Sequence, residues 1–351
     1  MPIKVLYAVT GQRAVAVKSR GTMRTFLIAV FLLYAGKTAA TDAFEQARAA
    51  AVTHPLQAVA LFDTAQATLS DTPAWYQRDW LVLSSRAYAR LQRFSEAEQN
   101  LRRADALLSE GISKTDLLLT AGFVNFMQQK FQAAAYWYQC SARSDLPPVE
   151  AARVRMSLGQ IDYMQGDLSG AKAHFEHSMH LAVLYKQPAL QALLQNNLGL
   201  VLWRQQQYQQ AITHLRQAMY GYTQLQEHYS LQMASLNLLT VVTSQQDWPA
   251  FDRYHRSIST RIDEKAPVEL QHYLALLQAL RQMPQPLPAA DKTKLQQLAA
   301  SLQIPGLMHN AALLLQGAGA GKALGTPTAL DPEQDLRLPQ LEQHCGLYRA
   351  S

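Results

Sequence analysis

A small residue recurs along this chain at a nearly fixed interval: Ser85, Gly122, Gly159 and Gly199, separated by 122 − 85 = 37, 159 − 122 = 37 and 199 − 159 = 40 residues. Twelve positions after each stands an alanine, Ala97, Ala134, Ala171 or Ala211. Four positions further on comes a large apolar residue, Leu101, Tyr138, Phe175 or Leu215, and three beyond that a second small one, Ala104, Ser141, Ser178 or Ala218. Phe94, Phe131, Leu168 and Tyr208 lie nine positions after the first small residues, where a turn would fall. Two antiparallel helices approach closely only where each presents a minimal side chain to the other. The large apolar residues, at helical spacing, then fill the space between successive hairpins, which a single hairpin cannot bury. The period therefore predicts stacked helix pairs.

The residues Leu158-Gly159, Tyr163, Gly166-Asp167-Leu168, Ala171, Phe175 and Ser178 resemble the tetratricopeptide repeat (TPR) family. Leu198-Gly199, Trp203, Tyr208, Ala211, Leu215 and Ala218 match nearly as well. The resemblance implies an all-α, right-handed solenoid of antiparallel helix pairs. Four units occupy residues 75–229, with degenerate repeats at 41–74 (Ala58, Phe62 and Ala65) and 230–266 (Leu239, Trp248 and Ile258). Two departures are the missing proline after some units and the 40-residue interval, which predicts a lengthened second helix around Gln207 to Tyr229. Over 267–316, the stretches Glu269 to Met283, Asp291 to Gln303 and Leu307 to Gln316 read as helices capping the array. Residues 317–337, opening with Gly317 to Gly325, have the composition of a linker. A short helix and tail, 338–351, follow.

The formal charge of +6 ordinarily points toward nucleic acid or anionic membrane. Its location removes that argument. Residues 1–40 carry Lys4, Arg13, Lys18, Arg20, Arg24 and Lys37 with no acid, which leaves 32 − 6 = 26 basic residues against 26 acidic ones. The same stretch contains an apolar run, Phe26 to Tyr34, behind Arg24 and ahead of Thr38-Ala39-Ala40, the layout of a signal peptide cleaved after Ala40. Met23 would start a leader of ordinary proportions, so residues 1–22 read as an over-extended start. The chain is thus expected to be periplasmic or secreted. If the run, shorter than the roughly 20 apolar residues that span a bilayer, stayed uncleaved, it would anchor the chain to the inner membrane.

No sequence pattern points to catalysis. Gly321-Lys322 resembles the end of a phosphate loop, but Gln316 stands where the first glycine belongs and Ala323 replaces the hydroxyl that binds magnesium. His174, His177 and His180 recur at spacing three, which spreads them around a helix without a carboxylate or cysteine to complete a metal set. No G-x-S-x-G or H-E-x-x-H motif occurs. We expect neither enzyme activity, cofactor nor metal. Cys140 and Cys345 are the only cysteines, and they either bridge in an oxidising compartment or remain two thiols.

What the family resemblance implies is binding, because in such solenoids the first helices line the concave side. The matching positions are Arg86 and Arg90 in the first unit and Phe123, Phe126 and Met127 in the second. The third supplies Arg153, Met156, Gln160, Tyr163 and Met164, and the fourth Asn196, Trp203 and Arg204. Aromatics and arginine are the usual anchors for a protein or peptide ligand, and methionine an adaptable contact. The family members that clamp a terminal carboxylate place Asn directly after the small residue. Here Arg86, Phe123, Gln160 and Leu200 stand there, which argues against that specialisation.

Overall fold

The computed structural model describes residues 42–109, 114–143, 145–283, 287–321 and 336–345, and every regular element among them is a helix. Helices α1 (residues 42–53) and α2 (Pro55–Leu69) open the array. Hairpins follow: α3 (Ala74–Arg90) with α4 (Phe94–Ala106), α5 (Thr115–Met127) with α6 (Phe131–Ala142), and α7 (Pro148–Gln165) with α8 (Leu168–Leu184). The next are α9 (Pro188–Arg204) with α10 (Tyr208–Gln224) and α11 (His228–Ser244) with α12 (Trp248–Ile258). Then come α13 (Val268–Gln282), α14 (Ala289–Ala300), α15 (Pro305–Gly317) and α16 (Pro339–Cys345). The leader and its cleavage site lie outside the described residues.

The spaced small residues do what their period predicts. A Cβ added at Gly122 would lie 2.5 Å from the Tyr138 ring, one at Gly159 2.8 Å from the Phe175 ring, and one at Gly199 2.7 Å from Leu215. The large residue of each second helix thus lies directly across the first helix. Ala97, Ala134, Ala171 and Ala211 are fully buried from the other side of the same contact.

First helices of successive hairpins also pack on one another, α3 on α5, α7 on α9, α9 on α11 and α11 on α13, whereas second helices do not do so to the same degree. That asymmetry curves the stack, with first helices on the inside. The interval of 40 residues has a visible cause: α8 has 17 residues, against 13 in α4 and 12 in α6. The lengthening begins there, one unit earlier than the sequence suggested, and α10 also has 17.

Turns repeat with the helices. Gln92, Gln129, Gly166, Gln206 and Gln246, one per hairpin, all have positive φ. After the four glutamines, the following amide closes the helix end: Arg93 N–H to Tyr88 O, Lys130 to Asn125, Gln207 to Leu202 and Asp247 to Val242, at 2.8–3.1 Å. This is the left-handed helix closure that glycine usually supplies. In the turns whose first residue of the next helix has no polar help, only the backbone holds; Asp167 and Asp247 add side-chain caps to Gly170 N–H and Ala250 N–H.

The end of the chain returns to its beginning. Leu336, Leu338 and Leu341 are buried in the same apolar cluster as Leu108, Leu117 and Trp137. The buried Asp105 carboxylate of α4 accepts from Gln340 N–H and Leu341 N–H, each at 3.0 Å. Cys140 and Cys345 form a disulfide with Cα atoms 5.3 Å apart. Of the two states the sequence left open, the bridge is the one present, because the leucines dock the tail beside α6. Residues 317–321 finish α15 and fold back on it, with Ala320 buried, while 322–335 of the expected linker, 317–337, lie outside the described residues.

Candidate functional site

The inner face divides into two unlike halves. Much of it is covered by the chain itself, most completely over α7, α9 and α11. Helix α15 and the residues before it run across the inner helices: Gln92 Nε2 donates to Gln303 O at 3.2 Å, and Gln129 Nε2 approaches Met308 Sδ at 3.9 Å. The Tyr163 hydroxyl donates to Asn310 Oδ1 at 3.0 Å. From there a chain of carboxamides continues, Asn310 Nδ2 to Asn237 Oδ1 at 3.3 Å, Asn237 Nδ2 to Asn196 Oδ1 at 2.8 Å, and Asn196 Nδ2 to Asn197 Oδ1 at 3.3 Å. All four asparagines are buried. Desolvated amides are costly unless paired, so this ladder fixes α15 in one register.

Arg204 completes the closure. Its guanidinium stacks 4.9 Å from the Tyr163 ring centroid and donates to Tyr163 O. It also meets His309 Nε2 at 3.3 Å, and since arginine has only donors, Nε2 must accept and the ring is neutral. Burial, and then the neighbouring Arg204 charge, push the His309 pKa down to about 4. Trp203 is buried and donates Nε1–H to Ser244 Oγ at 2.8 Å.

Around Arg86, Arg90 and Phe123 the inner face keeps partial contact with solvent, although the segment leading into α15 reaches Gln92 and Gln129 at the ends of α3 and α5. Arg86 lies half-exposed, with Nε donating to Thr120 Oγ1 at 2.7 Å and an ion pair to Asp116 at 3.6 Å. One helical turn on, the Arg90 guanidinium sits 4.7 Å over the partly buried Phe123 ring, which packs against the first apolar cluster. Although 37% of the Arg86 side chain meets solvent, crowding by the surrounding protein lowers its pKa, as it does that of Arg90. The combination describes cations inside a concavity: reachable by solvent, yet poorly solvated. Arg153 is exposed and Gln160 half-buried nearby on α7.

The sequence-derived lining is therefore split. Arg86, Arg90, Phe123, Arg153 and Gln160 remain accessible. Tyr163, Asn196 and Trp203 are buried, and Arg204 is engaged by α15. Phe126 packs edge-on to Phe131 at 5.6 Å within its own hairpin, while Met127, Met156 and Met164 are partly buried against the apolar clusters. Asn237 and Asn310 escaped the sequence reading. Asn237 stands 40 residues after Asn197, a periodic signal that was there to see; Asn310 carries none, because its partner Tyr163 is 147 positions away.

His174 faces Asp162 at 3.6 Å while His177 and His180 are exposed. Among the described residues no group of three or more His, Cys, Asp or Glu is placed to hold a metal, and no helix is long and apolar enough to cross a membrane.

No family model matches the chain, and neither does any curated protein. Solved structures do resemble it. The Rap conjugation gene regulator of the plasmid pLS20, in complex with the Phr* peptide, superposes with a TM-score of 0.57 at 15% identity, over 78% of this chain and 73% of that one. A Rap protein complexed with competence and sporulation factor gives 0.53 at 14% identity, over 81% and 88%. Aspartyl phosphate phosphatase F from Bacillus subtilis gives 0.52 at 15% identity, over 77% and 75%. At such identities the likeness establishes the fold, a TPR-like helical solenoid, and nothing about function.

Proposed function

We propose that this chain is an exported, non-catalytic scaffold that holds a peptide or protein segment in the amino half of its concave face. The observation that carries the reading is the Arg90–Phe123 pair, a cation and an aromatic ring stacked on the inner surface and left partly exposed to solvent. Arginine and aromatic side chains supply most binding energy per residue at protein interfaces. Two of the structures with this fold are complexes, one with the Phr* peptide and one with competence and sporulation factor, which supports use of the same architecture for binding. Export rests on the leader-like residues 1–40 and agrees with the Cys140–Cys345 disulfide, since such bonds persist in oxidising compartments.

The test is capture of partners from the native compartment by wild type and by Phe123→Ala. Loss of a partner from a variant with unchanged helical content and melting supports the groove. An identical partner set from the two proteins contradicts it. Amino-terminal sequencing of the mature protein tests export: a start near Ala40 is expected, and a retained leader would instead make the chain a membrane-anchored subunit.

A further inference from the structure

The partly exposed stretch of the concave face around Arg86, Arg90 and Phe123 is unbalanced in charge. Asp116 is committed to Arg86, and Asp79, on the same helix as Arg86, is committed to Arg78 at 2.7 Å. Arg90 and Arg153 make no ion pair among the described residues. The Tyr229 phenol on α11 is within electrostatic reach of Arg90, and its own ionisation is suppressed chiefly by burial. Arg86 feels Arg153 and Arg90 feels Arg86 as like charges. Arg90 thus lies over Phe123, with Arg86 one turn away on α3 and the exposed Arg153 on α7 close enough for its charge to be felt at Arg86, against one exposed carboxylate, Asp116.

Arg90 is the unfavourable member in the free protein, because it has given up part of its hydration without receiving an anion, while Arg86 has a single carboxylate on its outer side. A ligand carboxylate reverses that. It supplies the missing charge in a partly desolvated cleft, where charge-assisted hydrogen bonds to guanidinium are strong and two-pronged. The Phe123 ring, already polarised by Arg90 above it, offers an apolar step beside the charges. The carboxyl half, filled by α15, contributes no comparable site, because Arg204 is already committed to Tyr163 O and His309.

We propose that the segment captured by the concave face is acidic, with Asp or Glu side chains seated on Arg86, Arg90 and Arg153 and an apolar residue on Phe123. This rests on the groove reading above and adds the chemistry of the ligand.

The experiment is selection of short randomised peptides displayed on phage against the full-length, oxidised protein, followed by titration of the winners. The peptides selected should be enriched in Asp and Glu. Their affinity should fall by about tenfold for Arg90→Ala and again for Arg153→Ala, fall with added salt, and be unaffected by Arg216→Ala on the outer helix α10. Arg153 is exposed and unpaired, so its removal leaves the fold intact; Arg90→Lys, which keeps the charge but not the fork, should lose less than Arg90→Ala. Peptides without acidic excess whose binding depends on Phe123 would overturn this proposal while sparing the groove. Failure to select any peptide sensitive to Phe123→Ala or to the arginine variants would overturn both.

Discussion

The hydroxyl of Tyr163, on the inner face of the third hairpin, donates to the carboxamide of Asn310 at 3.0 Å and so ties the middle of the solenoid to its last inner helix. Removing only that oxygen leaves a buried amide acceptor without its partner. Tyr163→Phe should cost about 1–3 kcal/mol. Urea unfolding should show a lowered midpoint with an unchanged slope; an unchanged midpoint would mean that α15 is held by its apolar face alone.

His309, beside it, makes this closure sensitive to acid. Its folded-state pKa is depressed to about 4 from an ordinary value of 6.5. Between those values the unfolded chain binds more protons than the folded one, so stability is present above pH about 6.5 and is lost as the pH falls toward 4. The loss for this one group amounts to about 3 kcal/mol over the window. Urea midpoints of wild type and His309→Gln, compared from pH 7 to pH 4, should converge as the wild type loses its advantage. Parallel curves would refute the assignment.

Glycine substitutions should have opposite signs at two positions. Gly159→Ala would drive a methyl group to 2.8 Å from the Phe175 ring, and overpacking of this kind costs about 1–3 kcal/mol. Gly306, near the start of α15, has nothing within 4 Å of an added Cβ. Gly306→Ala should stabilise by up to about 1 kcal/mol through helix propensity alone. Thermal melts of the two variants distinguish a packing ruler from an incidental glycine.

The Cys140–Cys345 bridge closes a separation of 205 residues, from α6 to α16. In the chain-entropy account a loop this long contributes about 5 kcal/mol, an upper value for a real disulfide. The double variant Cys140→Ala with Cys345→Ala should melt at a lower temperature, and α16 should lose protection from amide hydrogen exchange before the inner helices do. Alkylation of the intact native protein should modify neither cysteine; labelling of both thiols would contradict the bridge.

The hairpins were legible in the sequence because their contacts are local. Gly159 and Phe175 are 175 − 159 = 16 residues apart, within one hairpin, and close approach there admits few residue types. The left-handed turns were not legible: Gln92, Gln129, Gln206 and Gln246 occupy a conformation that glycine advertises and glutamine conceals. Nor was the closed half of the groove. Family resemblance places Tyr163, Asn196 and Trp203 on the inner face, but whether that face meets solvent depends on where α15 comes to rest. The residues that decide it, His309 and Asn310, sit in a segment outside the repeat. Arg86, Arg90 and Phe123 lie inside the repeat, where the period places them on the first helices, and they stay partly exposed.

Site-specific photo-crosslinking tests the central claim most directly. A photoreactive phenylalanine analogue replaces Phe123 on the inner face in one protein and Tyr220 in another, the latter 69% exposed on the outer helix α10. Illumination in the native compartment should join a partner to position 123 and not to position 220. Adducts at position 220 with none at position 123 would show that the partner binds outside the groove.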